Sequence, residues 1–370
     1  MLTLVASTVY PMDTTGNRTT LVVLFGGQSA EHDVSCVTAT HVLRAANPST
    51  YRTVPIAIDR NGQWHSPHLA ELPAGGANPD ALPSRLEATG APTSSASLSS
   101  LAQHGNIVVM PLIHGPLGED GTVQGLLELL DLPYVGSGVL ASAVAMDKGV
   151  AKTVFAQSGI PQVRHITLRE DKVSPQSLQT VADTLQLPLF VKPANMGSSV
   201  GVSKAHNMEE LQSAVRHAAD YDEWIIFEEA VSAREIEVAV IGNRSPRASV
   251  PGEITPGNEF YDYEDKYVTD SAALTIPATL TPRQSDEVRA LAIRAYEALH
   301  CEGMARVDFF FEEDGRGFMC NEINTIPGFT PISMYPKMWA ATGLEYSALI
   351  DELVQHARER HARRKRNTAH

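Results

Sequence analysis

The feature that most constrains the fold is a short apolar run that ends in two glycines. Residues 21-LVVLF-25 are continuously apolar, a pattern typical of a buried strand, and Gly26 and Gly27 interrupt it at once. We expect the chain to turn at these glycines into a helix that begins near Ser29. A strand, a turn and a helix in this order predict an α/β domain at the N-terminal end.

Alternating strand and helix patterns continue behind this opening. A helical pattern over 138–159 ends at Gly159, and a new series of strands and helices then begins. The fold class predicted for the whole chain is α/β and α+β. We expect three domains, over residues 1–138, 139–229 and 230–370.

Three segments lack such patterns. Residues 84–100 are rich in Ser, Ala, Thr and Gly, and we expect a surface excursion that carries no chemistry. The polar and aromatic stretch 255–271 predicts a long functional loop. The basic run 357-ARERHARRKR-366 predicts a frayed, solvated helix end, with contact to an anionic partner as the alternative.

Charge and cysteine usage limit the classes of partner. The 29 basic and 43 acidic residues give a formal net charge of −14, which argues against non-specific binding to nucleic acid or an anionic membrane. Cys36, Cys301 and Cys320 are far apart, without metal-ligand spacing, and indicate a reducing cytoplasm. The N-terminal MLTLVASTVY lacks the basic start of a signal peptide and is too short for a membrane span. We expect a cytoplasmic protein with no membrane partner.

Two strand patterns near the C-terminal end carry oxygen-bearing side chains. The stretches 304-MARVDFFF-311 and 317-GFMCNEIN-324 are joined by a short turn and predict a hairpin. Alternation places Asp308 on the face of Glu322 and Asn324 if the loop has an odd number of residues, and we predict the odd case. These oxygens then suit Mg²⁺ shared with substrate phosphates. A hairpin with one solvated acidic face is the alternative.

A second cluster of residues suits an anion. The small residues of the loop 192-KPANMGSSVG-201 let backbone N–H groups approach a phosphate. Lys192 adds a charge, and Ser198 and Ser199 add hydroxyls. The loop is not a Walker A sequence, and 26-GGQSAE-31 lacks the spacing of a dinucleotide site. Either segment alone could be a flexible loop, but a phosphate loop followed by an oxygen-ligand cluster implies a metal–nucleotide site.

The chain resembles the D-alanine–D-alanine ligases of the ATP-grasp superfamily from about residue 21 to about residue 349. The motifs that carry this resemblance are GGQSAEHDVS (26–35), HGPLGEDGTVQGLLELLDLPYVGSG (114–138), MDK (146–148), KPANMGSSVG (192–201), YDYEDKY (261–267), RVDFF (306–310) and NEINTIPG (321–328). The resemblance implies an ATP-grasp fold, with an N-terminal α/β (Rossmann-like) domain and two ATP-binding lobes. It also implies a homodimer.

The resemblance further implies a reaction. The enzyme would join two D-alanine molecules with ATP, through a D-alanyl phosphate, to make D-alanyl-D-alanine for peptidoglycan. Seven residues would bind ATP, with Lys148, Lys192 and Ser199 at the phosphates, Glu228, Ala230 and Val231 at the adenine, and Glu235 at the ribose. Two Mg²⁺ ions, which Mn²⁺ can replace, would bind to Asp308, Glu322 and Asn324.

The remaining site residues would handle the amino acids. Glu31 would bind the ammonium of the first D-alanine, and Ser333 the carboxylate of the second. Arg306 and the backbone N–H of Gly328 would stabilise the tetrahedral oxyanion. From the residue pattern alone, Lys148 and Ser333 would be ordinary surface and loop residues.

The segment 261–270 would be a mobile lid over this site. Lys266 would reach the transferring phosphate, and Tyr267 would bond to Ser198, which in turn meets Glu31. A tyrosine at position 267 favours D-alanine over D-lactate as the acceptor. A ligase that uses D-lactate or D-serine, and an ATP-binding protein without catalysis, remain as alternatives, while a redox protein on a Rossmann fold is disfavoured.

Overall fold

Three β-sheets organise the part of the chain that the structure describes. The structure is a computed structural model, and it describes residues 18–67, 82–103, 105–255, 273–330 and 332–365. The sheets have five, four and six strands in chain order. No helix of the described ranges has both the length and the apolar composition that crossing a membrane requires.

The first sheet is mixed, with two parallel and two antiparallel pairings, and holds the predicted N-terminal strand. Its elements are β1 (Thr19–Gly26), α1 (His32–Ala45), β2 (Tyr51–Ile58), β3 (Trp64–Ser66), β4 (Ala91–Pro92), α2 (Ala96–Ala102), β5 (Ile107–Pro111) and α3 (Thr122–Leu129). The strand order is β4-β3-β2-β1-β5, and β1 pairs in parallel with both β2 and β5. The continuous apolar run is therefore explained, because every residue from Leu21 to Phe25 is fully buried. The helix begins at His32 rather than near Ser29, since Ser29 Oγ instead donates to the His114 carbonyl at 2.7 Å.

The second sheet is antiparallel and follows two helices. Its elements are α4 (Val139–Met146), α5 (Lys148–Gln157), β6 (His165–Arg169), α6 (Pro175–Leu185), β7 (Leu189–Pro193), β8 (Ser203–Ala205), α7 (Met208–Ala219) and β9 (Trp224–Glu229), in strand order β6-β9-β7-β8. The single helical pattern predicted over 138–159 is in fact two helices. Asp147 breaks it, because its side chain accepts from the Val150 N–H at 3.0 Å and caps α5.

The third sheet is antiparallel and carries the predicted hairpin. Its elements are β10 (Arg234–Gly242), β11 (Arg247–Ala248), β12 (Gly252–Thr255), β13 (Ala273–Thr275), α8 (Pro282–Ala298), β14 (Gly303–Glu312), β15 (Gly317–Asn324), α9 (Met334–Ala341) and α10 (Tyr346–Arg364). The strand order is β13-β12-β10-β14-β15, and β11 pairs with β10. The domain boundaries proposed from the sequence remain a prediction.

The segment 84–100 lies largely at the surface, as we expected, but it also adds a strand and a helix to the fold. β4 pairs with β3 and extends the first sheet, while α2 packs against it. Leu86 is 2% exposed and Leu98 is fully buried. Its buried residues, Leu86, Ala88 and Leu98, are too irregularly spaced to give a period, and Ala96 is exposed.

The basic end of the chain is docked, and the predicted frayed helix end is wrong for residues up to 365. Arg360 is only 2% exposed and donates to the Tyr134 and Gly136 carbonyls at 3.0 and 2.6 Å. Its guanidinium also lies 3.9 Å from the centroid of the Tyr134 ring. Arg364 pairs with Glu128 of α3. The basic residues therefore fasten α10 to the N-terminal domain.

Candidate active site

A row of three carboxylates crosses three neighbouring strands of the third sheet. Glu237 of β10 pairs with Asp308 of β14, and Asp308 pairs with Glu322 of β15. Residues that pair directly across an antiparallel sheet share one face, so the three side chains lie side by side. Their side chains are 7%, 14% and 24% exposed, in that order. The sequence reasoning found the last two and missed Glu237.

Asp308 and Glu322 meet by a different route from the one that we predicted. Glu312 pairs with Gly317, which leaves an even loop of four residues, 313–316, between the strands. With this loop alone, Asp308 would lie opposite Asn321. A β-bulge between Asp308 and Phe309 shifts the register by one residue and brings Glu322 opposite Asp308. The predicted odd loop is wrong, and the bulge produces the convergence instead.

Two cations neutralise part of this acidic row. Arg306 donates from Nε and Nη2 to the two oxygens of Asp308, both at 2.7 Å, and its Nε lies 3.0 Å from Glu237 Oε2. Burial disfavours the charged guanidinium, but Asp308 and Glu237 outweigh burial and raise the pKa of Arg306 well above its ordinary value. Lys148 Nζ lies 3.3 Å from Glu322 Oε2. Three negative charges thus face two positive ones.

The donor set on this face fits a divalent cation that is shared with a ligand. Asn324 donates its amide N–H to Asp308 Oδ2 at 2.9 Å, which places an amide beside the two predicted carboxylates. These are the hard oxygen ligands that Mg²⁺ prefers, and the excess negative charge favours a cation. Within the described ranges, no group of three or more His, Cys, Asp and Glu side chains could hold a metal by itself. A metal bound here would therefore draw further oxygens from a phosphate or from water.

The phosphate loop lies against this acidic face. Lys148, in the first turn of α5, donates to the Met196 carbonyl of the loop at 2.6 Å while it pairs with Glu322. Ser198 and Ser199 both have left-handed backbones, with φ of +50° and +59°. Non-glycine residues adopt this conformation rarely, and it is concentrated at ligand-binding sites. The loop is thus held in a shape that local sequence preferences do not favour.

The same loop also contacts the N-terminal domain through Glu31. Ser198 Oγ donates to Glu31 Oε1 at 2.5 Å, which is the contact that we expected from the resemblance. Gly115 and Gly197 flank the other oxygen of Glu31, since a Cβ added at either glycine would lie 2.8 or 2.9 Å from Oε2. Glu31 thus stands between two glycines whose missing side chains let the backbone approach its carboxylate closely.

Gly328 and Ser333 are brought together beyond the hairpin. A Cβ added at Gly328 would lie 2.9 Å from Ser333 Oγ, so a larger residue would collide with that hydroxyl. Ser333 Oγ also accepts from the Thr330 N–H at 3.1 Å. The predicted residues Lys266 and Tyr267 lie outside the described residues.

Comparisons with known proteins identify the family of this chain. A family model for the D-ala D-ala ligase N-terminus matches residues 20–137, and one for the C-terminus matches residues 154–355. A D-alanine–D-alanine ligase from Solibacter usitatus is 45% identical over 341 residues, 92% of this chain and 96% of the relative. The chain belongs to the D-alanine–D-alanine ligase family.

This member of the D-alanine–D-alanine ligase family also resembles solved ligase structures over nearly its whole length. The D-alanine–D-alanine ligase of Coxiella burnetii superposes with a TM-score of 0.79 at 36% identity, covering 95% of this chain and 97% of that one. The VanG D-Ala:D-Ser ligase of Enterococcus faecalis gives 0.78 at 31% identity, with 92% and 99% covered. The predictions of the family, of the ATP-grasp fold and of an ATP-dependent D-alanine–D-alanine ligase activity are confirmed.

Besides Glu237, sequence reasoning missed a buried lysine and a buried histidine in this candidate site, Lys152 and His114. Lys152 of α5 is fully buried, and its Nζ lies 2.8 Å from Glu228 Oε1. Lys192 Nζ lies 2.7 Å from the other oxygen of Glu228. Burial would raise the pKa of Glu228, but the two lysines outweigh it and lower the pKa to about 2.

His114 is also buried, and its Nδ1 lies 3.0 Å from the Ile326 carbonyl. Burial alone would lower the pKa of His114, but Glu119 and Glu31 outweigh burial and raise it.

The hinge of this ligase, where β9 leads into β10, carries Glu229, and two arginines hold its carboxylate. Arg164 Nε lies 2.8 Å and Arg316 Nη1 lies 2.5 Å from the Glu229 carboxylate. The side chain is therefore occupied, and the neighbouring Ala230 and Val231 are half-buried at the hinge. Glu235 lies in β10, opposite Phe310.

Proposed function

We propose the following roles for the residues of this site in making D-alanyl-D-alanine. One observation carries the proposal, namely that a single loop links both halves of the site. Met196 of the loop binds Lys148, which also pairs with Glu322, while Ser198 of the same loop binds Glu31. A phosphate held by this loop lies between the amino-acid pocket at Glu31 and the acidic face of the hairpin.

In the first step, the carboxylate of one D-alanine attacks the γ-phosphorus of ATP. Glu31 holds the ammonium of this D-alanine, and Lys148, Lys192 and Ser199 hold the nucleotide phosphates. Glu228, Ala230, Val231 and Glu235 bind the adenosine. The products are ADP and D-alanyl phosphate, a mixed anhydride whose carbonyl is activated for attack.

Asp308, Glu322 and Asn324 would hold two Mg²⁺ ions. Bound there, the metal supplies Lewis acidity and lowers the charge repulsion between the phosphates and an anionic nucleophile. Mn²⁺ has the same preference for oxygen ligands and can take the place of Mg²⁺.

In the second step, the amine of another D-alanine attacks the acyl carbonyl. Ser333 orients the carboxylate of this second substrate, beside Gly328. Negative charge develops on the carbonyl oxygen, and Arg306 with the backbone N–H of Gly328 stabilises it. The attack forms the C–N bond, the nitrogen loses a proton, and collapse of the tetrahedral intermediate breaks the C–O bond to phosphate, which leaves as the peptide carbonyl reforms.

The lid completes the site in this proposal. Lys266 contacts the transferring phosphate, and Tyr267 bonds to Ser198, so that closure excludes water from the acyl phosphate.

The protein acts in the cytoplasm, where its dipeptide feeds peptidoglycan synthesis. It acts as a homodimer. Light scattering of the purified protein tests this assembly.

A competition assay tests the substrate choice. The protein is mixed with ATP, Mg²⁺, D-alanine and equal amounts of D-lactate and D-serine, and mass spectrometry identifies the products while ADP is followed. The proposal predicts that D-alanyl-D-alanine dominates. A dominant D-lactate or D-serine product would reject the role given to Tyr267 and make one of the alternative acceptors the substrate. ATP binding without ADP formation would reject catalysis.

A further inference from the structure

A buried cluster beside the phosphate loop contains two lysines and one carboxylate. The side chain of Lys152 is 0% exposed, that of Glu228 is 5% exposed and that of Lys192 is 10% exposed. Each ammonium lies against its own oxygen of Glu228, at 2.8 Å for Lys152 and 2.7 Å for Lys192. The cluster therefore has a net charge of +1 in an environment from which water is largely excluded.

The two lysines differ in what they can reach. Lys152 Nζ has a second contact with the backbone carbonyl of Asn321 at 3.4 Å, and its full burial separates it from any ligand in solution. Lys192 is at the end of β7, at the start of the phosphate loop, and its second contact is the side-chain oxygen of Asn321 at 3.4 Å. Lys192 can therefore change partners, whereas Lys152 cannot.

A change of partner by Lys192 would be unfavourable without Lys152. If Lys192 were the only counterion of Glu228, its movement to a phosphate would leave a buried carboxylate unpaired and close to another anion. Such an isolated charge is strongly destabilised by the loss of its solvation. Lys152 removes this obstacle because it stays on Glu228 whatever Lys192 does.

We propose that Lys152 is a positioning residue, the permanent counterion of Glu228 that lets Lys192 exchange this carboxylate for a nucleotide phosphate. The inference rests on the proposed nucleotide site and extends it to a residue that never contacts the ligand. In the absence of nucleotide, Lys192 pairs with Glu228. When a polyphosphate enters the loop, Lys192 moves to it and Glu228 keeps Lys152.

The test uses the full chain and two probes, ADP and inorganic tripolyphosphate, with calorimetry to measure their dissociation constants. Lys152→Met should weaken both probes by roughly tenfold or more, because Lys192 then becomes the sole partner of Glu228. Lys172→Met is the matched control, since this lysine side chain is 69% exposed, and it should bind both probes like the unmodified protein. The KM for ATP should rise in Lys152→Met while the KM for D-alanine stays unchanged.

A second pair of variants separates positioning from a merely structural effect. Glu228→Gln frees Lys192 and should bind tripolyphosphate at least as tightly as the unmodified protein. The double variant Lys152→Met/Glu228→Gln should bind tripolyphosphate like Glu228→Gln alone, because no carboxylate is left to compete for Lys192. This comparison holds even if Lys152→Met alone does not fold.

Two results would overturn the inference. One is unchanged binding of tripolyphosphate by a folded Lys152→Met protein. The other is weaker binding by the double variant than by Glu228→Gln, which would mean that Lys152 acts on the phosphate without Glu228. If the proposed nucleotide site itself is wrong, the unmodified protein will bind neither ADP nor tripolyphosphate, and this result is distinct from both of the others.

Discussion

Ser198 Oγ lies 2.5 Å from Glu31 Oε1, although 167 residues separate the two side chains in the chain. The bond joins the phosphate loop of the second sheet to the residue that directly precedes the first helix, α1. A hydrogen bond to a charged group contributes about 1.5–3 kcal/mol. The loop and the proposed pocket for the first amino acid are therefore coupled. A substitution in the loop should change the affinity of the pocket for its substrate.

Loss of the Ser198 hydroxyl tests this coupling. We expect Ser198→Ala to raise the KM for the first D-alanine by roughly tenfold to a hundredfold, because Glu31 loses the donor that orients it. Steady-state kinetics with varied D-alanine measure the effect. Ser213→Ala, on the exposed side of α7, is the control and should change nothing. Equal KM values in the two variants would contradict the coupling.

Arg306 is expected to act mainly on the transition state. Arg306→Lys keeps the charge but loses the two-pronged contact with Asp308, so the oxyanion donor is misplaced. We expect kcat to fall by about 10²–10³ with little change in the KM for ATP, as for removal of an oxyanion donor elsewhere. Arg283→Lys, at an exposed position in α8, should retain full activity. A rise in the KM for ATP with kcat unchanged would assign Arg306 to ground-state binding instead.

The buried pair at Glu228 makes a pH-dependent contribution to stability. The folded pKa of Glu228, about 2, lies below its ordinary value of 4.5. Its ionised form therefore stabilises the fold above pH 4.5, and this contribution, about 3 kcal/mol, is lost as the pH falls from 4.5 towards 2. We expect the gap in unfolding free energy between the unmodified protein and Glu228→Gln to shrink over this window. Urea titrations at a series of pH values measure it, and a gap that does not vary with pH would contradict the ion pairing.

The docked C-terminal helix should contribute to global stability. Arg360→Met removes the donors to the Tyr134 and Gly136 carbonyls and leaves these buried acceptors unpaired. We expect a loss of about 2–4 kcal/mol in the free energy of unfolding, seen as a lower urea midpoint. Arg216→Met, exposed on α7, is the matched control. Equal midpoints for the two variants would restore the interpretation of a solvated helix end.

Local patterns were enough to predict most elements of the fold. The apolar run of β1 and the alternation of β14 follow from which strand faces are buried, and the residue types along each strand reflect this burial. The break between α4 and α5 was missed because Asp147 looks like an ordinary helical residue until its cap is seen. A helix cap depends on a single side-chain hydrogen bond, and the spacing of apolar residues carries no information about that bond.

The site residues that sequence reasoning missed owe their roles to distant partners. Lys152 has the spacing of a surface lysine on a helix, and only the approach of β9 makes it a buried counterion. Glu237 becomes part of the acidic row because β10 pairs with β14. The bulge that aligns Asp308 with Glu322 likewise has no signature in the alternation of the two strands. The resemblance to known ligases predicted most of the candidate site residues, and pairing in space added the others.

Transfer of an oxygen atom tests the central claim most directly. D-alanine labelled with ¹⁸O in its carboxylate is incubated with the protein, ATP and Mg²⁺, and the released phosphate is analysed by mass spectrometry. A D-alanyl phosphate intermediate predicts that one labelled oxygen passes to each phosphate as the peptide bond forms. Dipeptide accompanied by phosphate without the label would show that the carboxylate never attacks the γ-phosphorus, and the account of the site would be wrong.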